Sequence, residues 1–161
     1  MTGGAWTCVG TSAAVAPGGR IRVFVDGEEY VLWRGASGVA RMFHNRCPHR
    51  GMRLSFGFVR GETLTCPYHG WRYSADGRCV GIPAHPDLEP PATIRAPILR
   101  VIEAAGLLFA APAESADTAP PVPDGPYRPC RSIAVDAGPG ALQAALRSEL
   151  PAGWSIASAS P

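Results

Sequence analysis

Apolar and polar positions alternate in short runs along the first two-thirds of the chain, and glycine, aspartate or proline bounds each run. Arg20 to Val25 (RIRVFV) alternates with period two and stops at Asp26-Gly27, a pair suited to a two-residue hairpin turn. Tyr30 to Trp33 is the expected return strand, and Val39 to His44 a third. Further strands are expected at Thr63 to Cys66, Trp71 to Tyr73, Arg78 to Val80, Pro97 to Ile102 and Leu107 to Phe109, with turns at Asp76-Gly77 and Gly106. Strands so short and closely spaced predict an all-β sandwich or barrel. The pattern changes after Pro112. Residues 113–129 are rich in proline and poor in core-forming side chains, and read as a linker or strap. Arg131 to Val135 reads as a strand. Pro139 to Leu150 carries Leu142, Ala145, Leu146 and Leu150 at helical spacing, and Trp154 to Ala157 reads as a return strand. The expected organisation is a β domain over residues 1–112, a linker over 113–129 and a small β-α-β tail over 130–161.

Composition narrows the function classes. The 161 residues suffice for one domain with its own core, and Gly and Pro together make up 36 of them. That share suits many turns and falls short of low complexity. Fifteen basic residues, all arginine, face thirteen acidic ones, a balance that argues against nucleic acid or an anionic membrane as partner. The longest apolar run, Ala104 to Ala113, is too short for a membrane span, and the N-terminus shows no basic segment ahead of an apolar one. Five cysteines, an odd number, suit a reducing compartment better than a disulfide framework, so the expected location is the cytoplasm.

The chemistry concentrates in two segments, CPHRG at Cys47 to Gly51 and CPYHGW at Cys66 to Trp71. Written as a pattern they are Cys47-x-His49, sixteen residues, then Cys66-x2-His69. Two thiolates and two imidazoles suffice for one metal centre. Pro48 and Pro67 follow the two cysteines and stiffen both loops. Gly51 and Gly70 let backbone approach an inorganic site and offer it N–H groups. Tetrahedral zinc takes such a ligand set. So does a [2Fe–2S] cluster with two Cys on one iron and two His on the other. The single residue between Cys47 and His49 is tighter than the usual zinc spacing.

The two loops, their separation and the Gly-Trp after the second resemble the Rieske iron–sulfur family, over about Trp6 to Ala110. HNRCPHRGMRLSFG, CPYHGWRYSADGRCVGIP and the preceding VLWRGASG are most similar to the N-terminal domain of Rieske non-haem iron oxygenases. The resemblance implies an antiparallel β-sandwich with a cluster-binding subdomain of two loops. It also implies one [2Fe–2S] cluster, with Cys47 and Cys66 on a buried iron and His49 and His69 on an outer one. Neutral imidazoles in place of two thiolates raise the potential above the ~−400 mV of plant-type all-Cys clusters, and imidazoles that can lose a proton make it pH-dependent. Where the respiratory branch has extra cysteines and a serine, this chain has Met52, Tyr68 and Trp71. Fewer hydrogen bonds to the cluster sulfurs would then place the potential low in the Rieske range, around −150 mV.

The implied role is one-electron transfer as a ferredoxin-like component of an oxygenase system, with a flavin reductase or ferredoxin as donor and an oxygenase as acceptor. The alternative is the front part of an oxygenase whose iron domain lies on a separate chain. A catalytic iron held by two His and a carboxylate is not expected within these residues, since only His44 and His85 remain and neither pairs with another histidine downstream. His44 is expected to be partly buried beside the first loop and His85 to sit exposed. Cys8, Cys79 and Cys130 are expected to be packing residues, Tyr68 to shield the cluster, and Trp71 and Tyr73 to form an apolar floor under the second loop. Arg46, Arg50, Arg53, Arg60, Arg72 and Arg78 face only Glu62 and Asp76 over residues 46–78, leaving +4 there against −2 elsewhere. A basic rim of this kind would steer an acidic redox partner.

Overall fold

The computed structural model describes residues 6–114, 119–120, 122, 135 and 137–151. The expected strands at Arg131 to Val135 and Trp154 to Ala157, most of the linker, and Cys130 lie outside the described residues.

Ten strands and one helix follow in chain order. They are β1 (Thr7–Thr11), β2 (Arg20–Val25), β3 (Glu28–Arg34), β4 (Ala40–His44), β5 (Phe58–Arg60), β6 (Thr63–Thr65), β7 (Arg72–Tyr73), β8 (Cys79–Gly81), β9 (Ile98–Ala104), β10 (Leu107–Pro112) and α1 (Pro139–Glu149). They form two antiparallel sheets, one of six strands in the order β1-β10-β9-β4-β3-β2 and one of four in the order β5-β6-β7-β8. This is the expected all-β class with a helix near the C-terminal end.

Turn chemistry sets the hairpins. Asp26 and Gly27 adopt φ of 51° and 79°, the doubly positive geometry of a two-residue turn matched to strand twist. Ala105 and Gly106 repeat it at 49° and 74° between β9 and β10, although alanine meets the left-handed region at a cost glycine does not. Two strands escaped the alternation. β1 carries a bulge between Cys8 and Gly10, which interrupts its period. β5 has only three residues and leaves Phe58 exposed.

Period two on β3 and β4 builds two cores back to back. Val31, Trp33 and Phe43 pack into one core with Leu54, Leu64, Tyr73, Cys47, Cys66 and Cys79. Their neighbours Leu32 and Met42 point the other way, into a core with Val15, Val25, Leu108 and Ala110. The four-stranded sheet therefore lies on one face of the larger sheet, and both loop cysteines sit in the apolar layer between them. Trp33 and Phe43 meet edge-on at 5.3 Å within that layer. The other cysteines divide: Cys79 is buried as expected, whereas Cys8 is exposed, because it lies on an edge strand with its side chain turned to solvent. α1 forms over the expected residues, starting from Pro139 in its first turn, but Leu146 on its apolar stripe is exposed.

Candidate metal centre

The first loop leaves β4 at His44 and the second leaves β6 at Thr65, so both emerge from the same end of the cysteine-bearing core. Their backbones follow one design. The Cys47 N–H donates to Met52 O at 2.8 Å and the Gly51 N–H to Cys47 O at 2.8 Å. The Cys66 N–H donates to Trp71 O at 2.8 Å and the Gly70 N–H to Cys66 O at 3.1 Å. Both glycines have φ of 69°, which explains why glycine stands four residues after each cysteine. A Cβ on Gly70 would also come within 2.9 Å of Pro83 Cγ, so that position is closed twice over.

Superposed cysteine on cysteine, the loops do not place their histidines at the same position. His49 stands second after its cysteine and His69 third. The fold nonetheless brings the rings together, with centroids 4.7 Å apart. Each ring has an aromatic neighbour: Trp71 stacks on His49 at 4.2 Å and 3°, and Tyr68 lies over His69 at 3.8 Å and 30°. Trp71 and Tyr68 are thus ring partners of the imidazoles; Tyr73 is fully buried in the apolar floor, and partly buried Trp71 packs against the same core. His69 is exposed and His49 half-buried, whereas Cys47 and Cys66 are buried and unpaired by disulfide.

The electrostatics suit ligation. Burial holds the His49 imidazole below its ordinary pKa, aided by His69 and Arg50, so it stays neutral as a metal ligand must be. Its Nδ1 is buried and finds no hydrogen-bond partner, an orphan acceptor that a metal would satisfy. Burial pushes the Cys66 thiol up, and the Cys47 sulfur beside it adds to this, while the Tyr68 and His69 N–H groups pull it back toward the thiolate. The four side chains thus form a sulfur pair and an imidazole pair. Among the described residues no three His, Cys, Asp or Glu form a cage for one ion. A sulfur pair and an imidazole pair are the donors that a mixed-ligand [2Fe–2S] cluster would take, one pair on each iron.

Three supporting features were not read from the motif. The Tyr73 hydroxyl, on β7, lies 3.0 Å from Cys47 Sγ. With a metal on Cys47 the thiolate would have no proton to give and the phenol would donate; burial and the neighbouring sulfurs push the Tyr73 pKa far above the ordinary tyrosine range. The site therefore regains a hydroxyl donor that Trp71 does not supply. Second, Asn45 is fully buried and clamps the first loop. Its Nδ2 donates to Ser55 Oγ at 3.0 Å and to Glu29 Oε2 at 3.2 Å, and its Oδ1 accepts from the Ser55 N–H at 2.8 Å. Third, Arg53 closes the loop's far end by a two-pronged pair to Glu29 at 2.8 and 2.9 Å, which holds that carboxyl below the usual range. Arg53 is therefore engaged and does not belong to a free basic rim. Arg46 and Arg50 remain exposed beside the loop.

The other histidines lie as expected. His44 is half-buried at the end of β4, edge-on to Tyr30 and 3.5 Å from Glu28; His85 is exposed in the loop after β8.

Comparisons with known proteins agree with this geometry. The family model described as "Rieske [2Fe-2S] domain" matches residues 5–96. The oxidoreductase NdmD of Pseudomonas putida is 44% identical over 84 residues, 52% of this chain and 14% of that protein. The 3-chlorobenzoate-3,4-dioxygenase oxygenase subunit of Comamonas testosteroni is 39% identical over 95 residues, 58% of this chain and 22% of that protein. The crystal structure of dicamba monooxygenase bound to dicamba aligns with a TM-score of 0.67 at 27% identity, covering 76% of this chain and 36% of that one. The chain thus spans less than a quarter of either curated relative. Over half its length matches the family model and its fold and paired donors suit one [2Fe–2S] cluster, so the chain belongs to the Rieske [2Fe-2S] domain family.

Proposed function

We propose that this chain carries single electrons within an oxygenase system, with Cys47 and Cys66 as ligands of the inner iron and His49 and His69 as ligands of the outer one. The observation that carries the reading is the polarity of the site: paired sulfurs in the core, paired imidazoles toward solvent. When bound, the cluster accepts and releases one electron at a time. The protein's own residues do the rest. Apolar walls exclude water from the sulfurs, the Tyr73 hydroxyl stabilises added negative charge at Cys47, Trp71 fixes the His49 plane, and exposed His69 offers a short path outward. The unit that does this is residues 1–112, a reading supported by the end of β10 at Pro112 and by cores built from residues between Trp6 and Ala111.

The partners we propose are a flavin reductase or ferredoxin as donor and an oxygenase as acceptor. Relatives that are an oxidoreductase and an oxygenase subunit support them. Among the described residues no helix is long and apolar enough to cross a membrane. Unpaired cysteines support a reducing compartment, the cytoplasm. A second reading, the front part of an oxygenase served by a separate iron-binding chain, is supported by the likeness of this chain to part of an oxygenase subunit.

Purified full-length protein is expected to be reddish-brown, to take up one electron per chain and to pass it to an added oxygenase. Obligate co-purification with a larger iron-binding chain would favour the second reading, and colourless protein with stoichiometric zinc would overturn both. Tyr73→Phe is expected to lower the reduction potential. Losing a hydrogen bond of about 0.5–1.5 kcal/mol to the more negative reduced state corresponds to roughly 20–65 mV for one electron. An unchanged potential in a spectroelectrochemical titration would show that the hydroxyl does not act on the cluster.

A further inference from the structure

The outer face of the four-stranded sheet bears a groove of about 670 Å³ whose lining includes Gly70, the residue after His69. Period two creates it. Leu64, Tyr73 and Cys79 point into the core, so Phe58, Thr65 and Arg72 point out from β5, β6 and β7, and on β8 a bulge turns Val80 out between buried Cys79 and Gly81. Phe58, Val80 and Leu88 line the groove at 46%, 44% and 51% exposure. Scattered exposed apolar side chains are ordinary, whereas these three gather in one concavity beside the second loop.

The charge of the groove says what it would take. Arg60 and Arg72 are exposed lining residues, neither forms an ion pair among the described residues, and no acidic residue lines the groove. Asp87 and Glu89, beside Leu88 in the chain, are not part of the lining. The Arg72 guanidinium lies over Gly81, about 2.4 Å from where a Cβ would stand, and so crosses the groove floor. Elsewhere on this end of the molecule Arg53 is taken up by Glu29 and Arg95 by Asp76.

We infer that this groove is the docking surface for an acidic segment of a protein redox partner, carboxylates on Arg60 and Arg72 and an apolar side chain between Phe58, Val80 and Leu88. The inference rests on the electron-transfer reading and names the partner surface for it. Contact here would bring the partner beside the second loop, within reach of the His69 edge.

The test compares two electron donors by stopped flow on the full-length, cluster-loaded chain. One is a reduced acidic plant-type ferredoxin and the other is photoreduced lumiflavin, a small donor with no docking requirement. Arg60→Glu/Arg72→Glu is expected to slow reduction by the ferredoxin at least about tenfold at low ionic strength, to lose most of that deficit in about 0.5 M salt, and to leave lumiflavin unaffected. Phe58→Ser/Leu88→Ser is expected to slow the ferredoxin step at high salt as well. The control, Arg20→Glu/Arg147→Glu, makes the same change in net charge away from the groove. Equal slowing by control and groove variants would overturn the docking site, as would wild-type protein that takes electrons from lumiflavin but not from the ferredoxin. Wild-type protein reduced by neither donor would overturn the electron-transfer reading and the groove with it. Unchanged visible spectra in all variants establish that the cluster loops are intact.

Discussion

Replacing His49 or His69 by alanine abolishes the mixed-ligand cluster spectrum: this is the largest effect expected of any single substitution. Each imidazole is one of only two nitrogen donors in the pair, and the His49 Nδ1 has no other partner in its buried position. Removing a contact that merely supports a ligand costs roughly 10–100-fold in metal affinity, and removing the ligand itself costs more. Visible absorbance and the reduced-state EPR signal are the measurements. His44→Ala and His85→Ala serve as controls, since one is half-buried on β4 and the other exposed beyond β8. Both are expected to keep the native spectrum. A cluster that survives His69→Ala unchanged would remove His69 from the ligand set. His69→Cys is the complementary variant: a third thiolate moves the centre toward the all-Cys case, so the potential is expected to fall toward about −400 mV.

Asn45→Leu is expected to destabilise the first loop without touching a ligand. Leucine shares asparagine's branched shape but leaves the Ser55 N–H and Ser55 hydroxyl without their partner and strips a donor from Glu29. Each buried polar group left unsatisfied costs about 1–3 kcal/mol, so the two groups on Ser55 give a total of roughly 2–6 kcal/mol. Because Asn45 joins the start of the loop to its end, the loss falls on the segment that presents Cys47 and His49. The readout is the rate at which visible absorbance bleaches on heating or with chelator, expected to rise at least about tenfold, since about 1.4 kcal/mol already corresponds to that factor. Bleaching at the wild-type rate would show that the loop is held by its own backbone bonds alone.

Much of the fold was legible because it is encoded locally. Alternation in RIRVFV and the Asp26-Gly27 turn together specify a hairpin whatever surrounds them, and the structure contains it. Boundaries slipped where that local code weakens. β8 runs from Cys79 to Gly81 in place of Arg78 to Val80, β3 begins two residues early, and three-residue β5 is too short to show a period. The donor types were equally plain, since Cys and His at two- and three-residue spacing within Gly-punctuated loops have few other uses. Asn45, by contrast, carries no signal in its neighbours. Its importance lies in partners at Glu29 and Ser55 that only strand pairing brings near.

Sequence by itself determined the all-β class and the two loops with their four candidate donors, because turn geometry and ligand chemistry act over a handful of residues. Tertiary structure decided how those donors meet. It set His49 and His69 side by side from unlike loop positions, brought Tyr73 from a neighbouring strand to Cys47, drew Arg53 out of the basic rim to Glu29, and left Cys8 in solvent. Each of these depends on residues 20 to 26 positions apart, or on which face of a strand meets a second sheet. Those distances close only when both sheets pack, and no local pattern records which side chains that packing brings into contact.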